Sequence, residues 1–205
     1  MDATEEDQFF YPPPDISVIL DHVYLGSGRA LSAHVISEYR IAHIIRCVKG
    51  STRADDLVGK SIFPMDDTGK SNLRCILEEA LPVMDNVYEH CKREKCSMFV
   101  HCSAGVNRSA TLLVAWIMHK FNMNLKTAHR IVEEGRPKIC IHDCYMKQLR
   151  QLDIDMHGEY STGENELLTT SIAMKRACDL LQSHNMPSVT SKDVFAAAKE
   201  DPPSL

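Results

Sequence analysis

Apolar and polar residues alternate with two periodicities along this chain, and these periodicities predict a series of strands and helices. Short runs rich in β-branched residues predict strands, and the run at residues 41–48 is typical of a buried central strand because it is apolar on both faces. Segments with apolar residues at helical spacing lie between and after these runs. The predicted strands span residues 16–20, 23–26, 41–48, 61–65 and 97–100, and the predicted helices span residues 30–39, 73–91, 109–121, 125–134 and 143–154.

Alternation of strands with helices predicts an α/β fold built around a layered sheet. Ser71 or Asn72 is expected to cap the helix that begins near residue 73. The stretch at residues 157–166 is polar and contains glycine, as linkers do. We therefore predict a disordered acidic arm at residues 1–15, one folded domain at residues 16–155, and a linker with a helical tail at residues 156–205.

The C-terminal tail carries two helical patterns. Leu167, Leu168, Ile172, Leu180 and Leu181 predict one amphipathic helix, and a second is expected at residues 192–199. These helices either pack back on the folded domain or bind a partner protein. The pattern alone does not separate the two hypotheses.

The composition is that of an ordinary soluble domain. Of the 205 residues, 44% are hydrophobic and 25% are charged, which excludes a wholly disordered chain, a collagen-like repeat and a coiled-coil rod. The apolar run at residues 112–118 is too short to cross a bilayer, and the acidic N-terminus is unlike a signal peptide. We therefore expect a cytoplasmic or nuclear protein without a membrane partner. Its eight cysteines are expected to be reduced and mostly buried.

The net charge of −5 is unevenly distributed. Residues 1–15 carry five acids and no bases, residues 155–205 carry eight acids and four bases, and the segment between them has a net charge of +4. A mildly basic core between acidic ends suits an anionic ligand. Ordinary scatter of surface charge explains this difference equally well.

The most informative segment is HCSAGVNRS at residues 101–109, which connects a predicted strand to a predicted buried helix. Open α/β folds bind their ligands at such connections. The backbone N–H groups of Ser103, Ala104, Gly105, Val106, Asn107 and Arg108 are expected to surround a tetrahedral anion at the positive end of the helix dipole. The guanidinium of Arg108 is expected to hold two phosphate oxygens at once.

The same electrostatic field acts on Cys102. A thiol among N–H donors at a helix N-terminus has a pKa well below that of a free cysteine. A thiolate that faces a bound phosphate is a nucleophile, so the pattern predicts phosphoryl transfer to sulfur. Ser109 is expected to donate its hydroxyl to the thiolate. The alternative is a structural cysteine that happens to lie between a strand and a helix.

HCSAGVNRS followed by ATLLVAWIM resembles the active-site loop and following helix of dual-specificity protein phosphatases, the small branch of the cysteine-dependent tyrosine phosphatases. The resemblance covers roughly residues 16–152 and includes VYLGS near the start and RPKI after the penultimate core helix. It implies a five-stranded mixed sheet flanked by helices. It also implies a catalytic domain that uses neither a metal ion nor an organic cofactor.

The resemblance further implies a general acid on a mobile loop upstream of the cysteine. Asp67, next to Thr68, is in the matching place, with Asp66 as the reserve candidate. His101 either sets the geometry of the phosphate loop by hydrogen bonding to nearby backbone or has a merely structural role. Arg136 is expected to be a solvated surface residue, or else to contact a second phosphate or an acidic flank of the substrate.

Two segments depart from the family pattern. Family members often carry Pro-Asn and then Gly-Phe after the RP segment, where this chain has Ile141-His142 and then Cys144-Tyr145. If the usual asparagine braces the phosphate loop, either His142 replaces it or the loop is held differently. Cys140, His142 and Cys144 form a weak pattern for zinc because a fourth ligand is missing. Cys140, Cys144 or Cys47 is a candidate to trap an oxidised Cys102 as a disulfide.

The resulting hypothesis is a protein phosphatase that hydrolyses phosphotyrosine and phosphoserine or phosphothreonine through a cysteinyl-phosphate intermediate. One alternative is an RNA 5′-phosphatase or other non-protein phosphatase, although the core lacks a strong basic patch and no nucleic-acid partner is expected. Another alternative is a phosphate-binding scaffold with weak turnover. Only about fifteen residues precede the expected catalytic domain, so no MAP-kinase docking domain is expected before it.

Overall fold

A computed structural model describes residues 15–50 and 57–158 of the chain. The predicted acidic arm, apart from Asp15, and both predicted tail helices lie outside the described residues. The described strands and helices are, in chain order, β1 (Ile16–Leu20), β2 (Val23–Ser27), α1 (Ala33–Glu38), β3 (Ile41–Arg46), β4 (Gly59–Ile62), α2 (Leu73–Glu94), β5 (Ser97–Cys102), α3 (Arg108–Phe121), α4 (Leu125–Gly135) and α5 (Asp143–His157).

The strands form one mixed sheet in the order β1-β2-β5-β3-β4, which confirms the predicted fold class. β1 pairs antiparallel with β2, and the other neighbouring strands are parallel. β5 is the central strand, and all six of its residues are buried. The carboxyl ends of β2, β5 and β3 therefore lie side by side at one edge of the sheet, where α/β folds place their ligands.

The core lies on both faces of this sheet. Helices α2, α3, α4 and α5 cover one face, and the ten residues Ser109–Met118 of α3 are all buried among them. On the other face Val35 of α1 packs with Ile41, Ile44 and Phe99. Successive side chains of β5 point to opposite faces, so Met98, Phe99 and Val100 are apolar in succession because both faces are covered.

Some strands and helices end at residues other than those predicted, because of a proline or a capping residue at the end. β4 ends at Ile62 instead of residue 65, because Pro64 has no N–H to donate to the sheet. α2 continues past Cys91 to Glu94, and Lys95 ends it in a left-handed conformation with φ of 54°. α5 continues to His157, where Gly158 caps it with φ of 77°. Of the two predicted caps for α2, Asn72 accepts the Cys75 N–H.

The described cysteines are all free thiols, and Cys178 lies outside the described residues. Cys47, Cys91 and Cys102 are buried, and Cys96 is half-buried. The prediction of mostly buried cysteines is wrong for Cys75, Cys140 and Cys144, which lie on outward-facing helix or loop positions. Among the described helices, none has the length and apolar character needed to cross a membrane.

Candidate active site

The loop between β5 and α3 brings the predicted site residues together. Cys102 ends the buried central strand and is 2% exposed. Arg108 begins the buried helix α3 six residues later. Ser103 and Ala104 are exposed, so the loop opens to solvent on this side. We call residues 102–108 the phosphate loop.

The Cys102 sulfur is surrounded by hydrogen-bond donors. The Gly105 N–H and the Ser109 hydroxyl each donate to Sγ over 3.2 Å. Burial raises the pKa of the Cys102 thiol, but hydrogen bonds from the Ser109 hydroxyl and from the backbone of Ser109, Val106 and Gly105 lower it by more. The net pKa of Cys102 is therefore below its ordinary value, and the site favours the nucleophilic thiolate. Ser109 lies where the sequence predicted it.

Gly105 allows the phosphate loop to lie directly on β2. Its φ is +66°, and a Cβ atom at this position would lie 2.2 Å from the Gly26 carbonyl oxygen. A side chain would therefore both strain the backbone and push the loop away from the sheet. This close approach holds the Gly105 N–H within reach of the sulfur.

The structure contradicts the predicted surface position of Arg136, which is 2% exposed. Its Nε donates to the Gly105 carbonyl over 2.6 Å, and one terminal nitrogen donates to the Ala104 carbonyl over 3.1 Å. Arg136 therefore braces the phosphate loop at two consecutive backbone carbonyls. Arg136 is buried because the loop carbonyls and Asp15 offset the cost of burying its charge.

Asp15 anchors the outer side of this arginine. Its carboxylate lies 2.9 Å from a terminal nitrogen of Arg136 and also pairs with Lys138. Burial raises the pKa of the Asp15 carboxyl, but the hydrogen bonds from Lys138 and Arg136 lower it by more. Sequence reasoning placed Asp15 in the acidic arm. For Arg136, the sequence showed an arginine before a proline at the end of a helix. That pattern is the same for a buried residue that braces a loop and for a surface residue.

We predict that Arg136→Lys weakens the phosphate loop. Lysine keeps the charge but cannot bond both carbonyls with a planar fork, and a buried carbonyl without a donor costs about 1–3 kcal/mol. The affinity for inorganic vanadate, a phosphate analogue, is expected to fall roughly 5–150-fold, from the same 1–3 kcal/mol. Titration calorimetry measures the affinity, and circular dichroism checks that the fold is retained. Unchanged vanadate affinity in a folded variant would contradict the bracing role.

The Arg108 guanidinium faces Asp67. Arg108 Nε lies 2.9 Å from Asp67 Oδ1, and a terminal nitrogen donates to the Ser103 hydroxyl oxygen over 3.1 Å. The Asp67 side chain is 65% exposed, whereas that of Arg108 is 13% exposed. The carboxylate thus lies at the open side of the loop, next to the group expected to hold the phosphate.

Asp66 and Asp67 have different surroundings. The Asp66 carboxylate accepts hydrogen bonds from the backbone and hydroxyl of Thr68, and the hydroxyl bond lowers the pKa of Asp66. Asp66 therefore closes its own turn. Asp67 is the carboxylate that reaches the phosphate loop, which favours it over Asp66 as the acid.

Asn107 connects the phosphate loop with both neighbouring loops. Its side-chain amide donates to the Asp67 carbonyl over 2.9 Å and to the Asp67 carboxylate over 3.2 Å. Its Oδ1 accepts the His142 N–H over 2.9 Å. The sequence predicted only a backbone role for Asn107. A polar side chain within a loop gives no signal of which partners it will meet.

The structure shows the contacts of His142 and Cys144, which lie in the two segments that depart from the family pattern. The His142 side chain caps α5 by accepting the Cys144 N–H, and only its backbone reaches Asn107. The phosphate loop is therefore held differently, through Asn107, Arg136 and a bond from the Cys140 N–H to the Val106 carbonyl. Cys144 packs against Gly69, where a Cβ atom would lie 2.6 Å from that of Cys144.

The loop at residues 66–72, which we call the acid loop, is fastened to α5. The Tyr145 hydroxyl donates to the Asp66 carbonyl over 2.6 Å, and burial raises the pKa of Tyr145, which keeps the hydroxyl protonated. The Gln148 amide donates to the Gly69 and Ser71 carbonyls over 3.2 and 3.0 Å. Its oxygen accepts the Leu73 N–H over 2.7 Å.

His101 and Ser103 connect the phosphate loop with the sheet. His101 is 1% exposed, and its Nδ1 lies 3.1 Å from the Cys102 carbonyl oxygen, so Nδ1 carries a proton and donates. Its ring stacks on Phe99. The Ser27 hydroxyl donates to the Ser103 carbonyl over 2.8 Å. The hydrogen bond expected from His101 to nearby backbone is thus present.

The other cysteines near the site differ in position. Cys47 follows β3 directly, and its N–H donates to the carbonyl of His101, the residue before Cys102. Burial raises the pKa of the Cys47 thiol well above its ordinary value. Cys140 and Cys144 are exposed. In the described part of the chain, no three His, Cys, Asp or Glu side chains are grouped so that they could hold a metal ion.

Comparison with known proteins gives one consistent family. A family model described as the catalytic domain of dual specificity phosphatases matches residues 23–155. Dual specificity protein phosphatase 1 from Arabidopsis thaliana is 32% identical over 143 residues, which cover 68% of this chain and 70% of that protein. Human dual specificity protein phosphatase 7 is 30% identical over 154 residues, which cover 72% of this chain and 36% of that protein.

Solved structures share the fold. The crystal structure of human DUSP28 superimposes with a TM-score of 0.61 at 22% sequence identity, over 71% of this chain and 97% of that chain. The chain spans about a third of the length of several curated relatives that it matches.

Proposed function

The chain belongs to the dual specificity phosphatase family, and from that premise we propose that it hydrolyses phosphotyrosine and phosphoserine or phosphothreonine in proteins through a cysteinyl-phosphate intermediate. One observation carries the proposal. The Cys102 sulfur, with its lowered pKa, lies in a loop of N–H donors beside Arg108, and Asp67 reaches the same arginine. Nucleophile, anion binder and acid are thus within one site.

In the first step, the Cys102 thiolate attacks the phosphorus of the substrate monoester and forms an S–P bond. The P–O bond to the leaving oxygen breaks, and protonated Asp67 gives its proton to that oxygen. Arg108 and the N–H groups of residues 103–108 bind the other phosphate oxygens, on which charge develops in the transition state.

In the second step, water attacks the phosphorus of the cysteinyl phosphate. The Asp67 carboxylate accepts a proton from this water, and the S–P bond breaks to release inorganic phosphate. The electron pair of that bond returns to Cys102 as thiolate. The Ser109 hydroxyl, 3.2 Å from the sulfur, stabilises the thiolate as the leaving group.

The openness of the site supports dual specificity. Ser103 and Ala104 are exposed at the phosphate loop, and no sequence feature resembles the tyrosine-bearing loop that deepens the pocket in tyrosine-specific relatives. A shallow site admits short phosphoserine and phosphothreonine side chains as well as phosphotyrosine. The expected partners are phosphorylated proteins, and a partner for the C-terminal tail stays a prediction.

The other hypotheses receive less support. The family comparisons do not favour an RNA 5′-phosphatase or a scaffold with weak turnover. We propose a cytoplasmic or nuclear location because the mechanism needs a reduced Cys102 and the seven described cysteines are free thiols. Fluorescence imaging of the tagged full chain would test the location.

The first experiment measures hydrolysis of a small aryl phosphate between pH 5 and 8, with a metal chelator present throughout. Peptides that carry phosphotyrosine, phosphoserine or phosphothreonine in one sequence context then test dual specificity. Turnover of all three supports the proposal. If the protein binds vanadate without turnover of any substrate, the scaffold hypothesis replaces it.

We predict that Asp67→Asn lowers kcat for a phosphoserine peptide by about 10²–10⁴-fold, since an alkoxide leaving group needs a proton. The loss is expected to be smaller for an aryl phosphate with an acidic leaving group. Activity that depends on a protonated acid falls as pH rises, so this alkaline decline of kcat/KM should disappear in the variant. Stopped-flow or steady-state rates across the pH range measure both effects.

Asp66→Asn is the matched control, because it changes the adjacent carboxylate that closes the turn with Thr68. An asparagine oxygen still accepts the Thr68 N–H, so less than a tenfold loss is expected from this exposed turn. If Asp66→Asn loses the alkaline decline and Asp67→Asn keeps it, the assignment of the acid is reversed.

A further inference from the structure

A cleft of about 360 Å³ opens beside the phosphate loop. Its walls include Arg29, Arg46 and Lys49, together with His101, Cys102 and Ser103. None of its described lining residues comes from the acid loop. We call this cavity the basic cleft. Its volume is within the range of sites that bind small groups, roughly 300–1,000 Å³.

The sheet places these cations on both sides of Cys102. β5 lies between β2 and β3, with Ser27 paired to Cys102 and Arg46 paired to His101. Arg29 follows the end of β2, and Lys49 follows the end of β3. Parallel strands end at the same edge, so residues after β2 and β3 form the walls of a cleft whose centre is the end of β5.

Hydrogen bonds fix both walls to the phosphate loop. On one side, the Ser27 hydroxyl donates to the Ser103 carbonyl over 2.8 Å. On the other side, the Cys47 N–H donates to the His101 carbonyl over 2.8 Å. The basic cleft therefore has a set position relative to the nucleophile.

The charged side chains that line the basic cleft all carry positive charge. Of its described lining residues, three are cationic and none is a carboxylate. Arg46 is only 4% exposed, while Arg29 and Lys49 are exposed. Of the arginines outside the basic cleft, Arg108 pairs with Asp67, and Arg136 pairs with Asp15. Within residues 15–50 and 57–158, Arg29 and Lys49 form no ion pair, so both are available to a ligand.

We propose that the basic cleft is a specificity subsite for a second anionic group of the substrate, carried by a residue next to the phosphoresidue. The inference rests on the proposed function, since it needs a phosphoresidue bound at Cys102. The anionic group is a carboxylate or a second phosphate, because both accept hydrogen bonds from guanidinium and ammonium groups. Cys102 and Ser103 line the basic cleft and also belong to the phosphate loop, so a side chain close to the phosphoresidue is within reach of the cleft.

The test compares phosphotyrosine peptides of one sequence with glutamate, glutamine or phosphoserine directly before or after the phosphotyrosine. We expect the glutamate or phosphoserine peptide to have a kcat/KM about 5–20-fold above that of the glutamine peptide, as two exposed charge contacts provide. The preference should shrink at high salt. Selectivity for glutamate identifies a carboxylate as the ligand, and selectivity for phosphoserine alone identifies a phosphate.

The decisive variant replaces both exposed cations, Arg29→Gln with Lys49→Gln. Its kcat/KM for the acidic peptides should fall to that of the glutamine peptide. Its turnover of the glutamine peptide and of a small aryl phosphate should stay unchanged. A control variant, Lys92→Gln with Arg93→Gln, removes the same two residue types from the exposed end of α2 near the start of β5, and should keep the full preference.

The outcomes separate the two proposals. If the wild type turns over all peptides equally, or if the double variant keeps the preference, the subsite is overturned while the proposed function stands. If the wild type turns over neither aryl phosphate nor any phosphopeptide, the proposed function itself fails.

Discussion

Replacement of Cys102 by serine is expected to lower kcat for an aryl phosphate by about 10⁴-fold or more, because the reaction loses its nucleophile. The serine hydroxyl does not ionise near neutral pH, even with the Gly105 N–H and the Ser109 hydroxyl directed at it. The phosphate loop itself should persist, since Gly105 and Arg136 hold its shape independently of the sulfur. Vanadate binding by a non-covalent route should therefore be retained.

The wild type provides the pH check. The pKa of Cys102 is lowered, so the thiolate is present above that lowered value and is lost as pH falls through it. The kcat/KM of the wild type should then decline on the acidic side, and Cys102→Ser should be inactive across the whole range. Cys75→Ser, an exposed thiol on α2, is the control and should retain activity. A Cys102→Ser protein with a tenth of the wild-type rate would exclude the Cys102 thiolate as the nucleophile.

Arg108→Lys is expected to reduce kcat/KM by about 10²–10³-fold, the loss that follows removal of one strong transition-state donor. The Arg108 fork already spans two partners, Asp67 at 2.9 Å and Ser103 at 3.1 Å. Lysine keeps the positive charge but offers a single point contact, so the difference isolates the planar geometry. The charge on the transferred phosphoryl group is spread over three oxygens, so kcat should fall along with the phosphate affinity.

Initial rates with an aryl phosphate, together with titration of vanadate, measure the two parts of this loss. Arg74→Lys applies the same substitution to an exposed arginine of α2 and should leave both quantities unchanged. If Arg108→Lys changes vanadate affinity and kcat by less than threefold, charge alone accounts for phosphate binding and the bidentate contact is not used.

The fold class and the position of Cys102 in the β5–α3 connection could be predicted because both depend on residues that are neighbours in sequence. The nine-residue segment at 101–109 joins the apolar run of β5 to the buried helix α3. The hydrophobic periodicity and the residue types of the loop therefore indicate the same site. Arg108 follows for the same reason, since it begins α3 six residues after Cys102. Asp67 lies far from them in sequence and needed the family resemblance for its place.

The bracing contacts could not be predicted because they join residues distant in sequence. Arg136 meets Gly105 and Asp15 only after α4 packs beside β1 and the phosphate loop, and its sequence neighbours do not reveal that burial. His142 illustrates a second limit: its side chain caps α5, and its backbone reaches Asn107. The residue type at position 142 does not indicate which side chain its backbone N–H group will contact.

The attachment of the acid loop to α5 has a consequence for how this site is made ready. Tyr145 and Gln148 hold the loop at Asp66, Gly69 and Ser71, and Gln148 also binds Leu73 at the start of α2, before any substrate is present. The loop thus loses its conformational freedom when the domain folds, and little ordering is left for the binding step. The position of Asp67 and the integrity of α5 therefore become one cooperative property, so partial melting of α5 would release Asp67 while the central β5–α3 unit still held Cys102 in place.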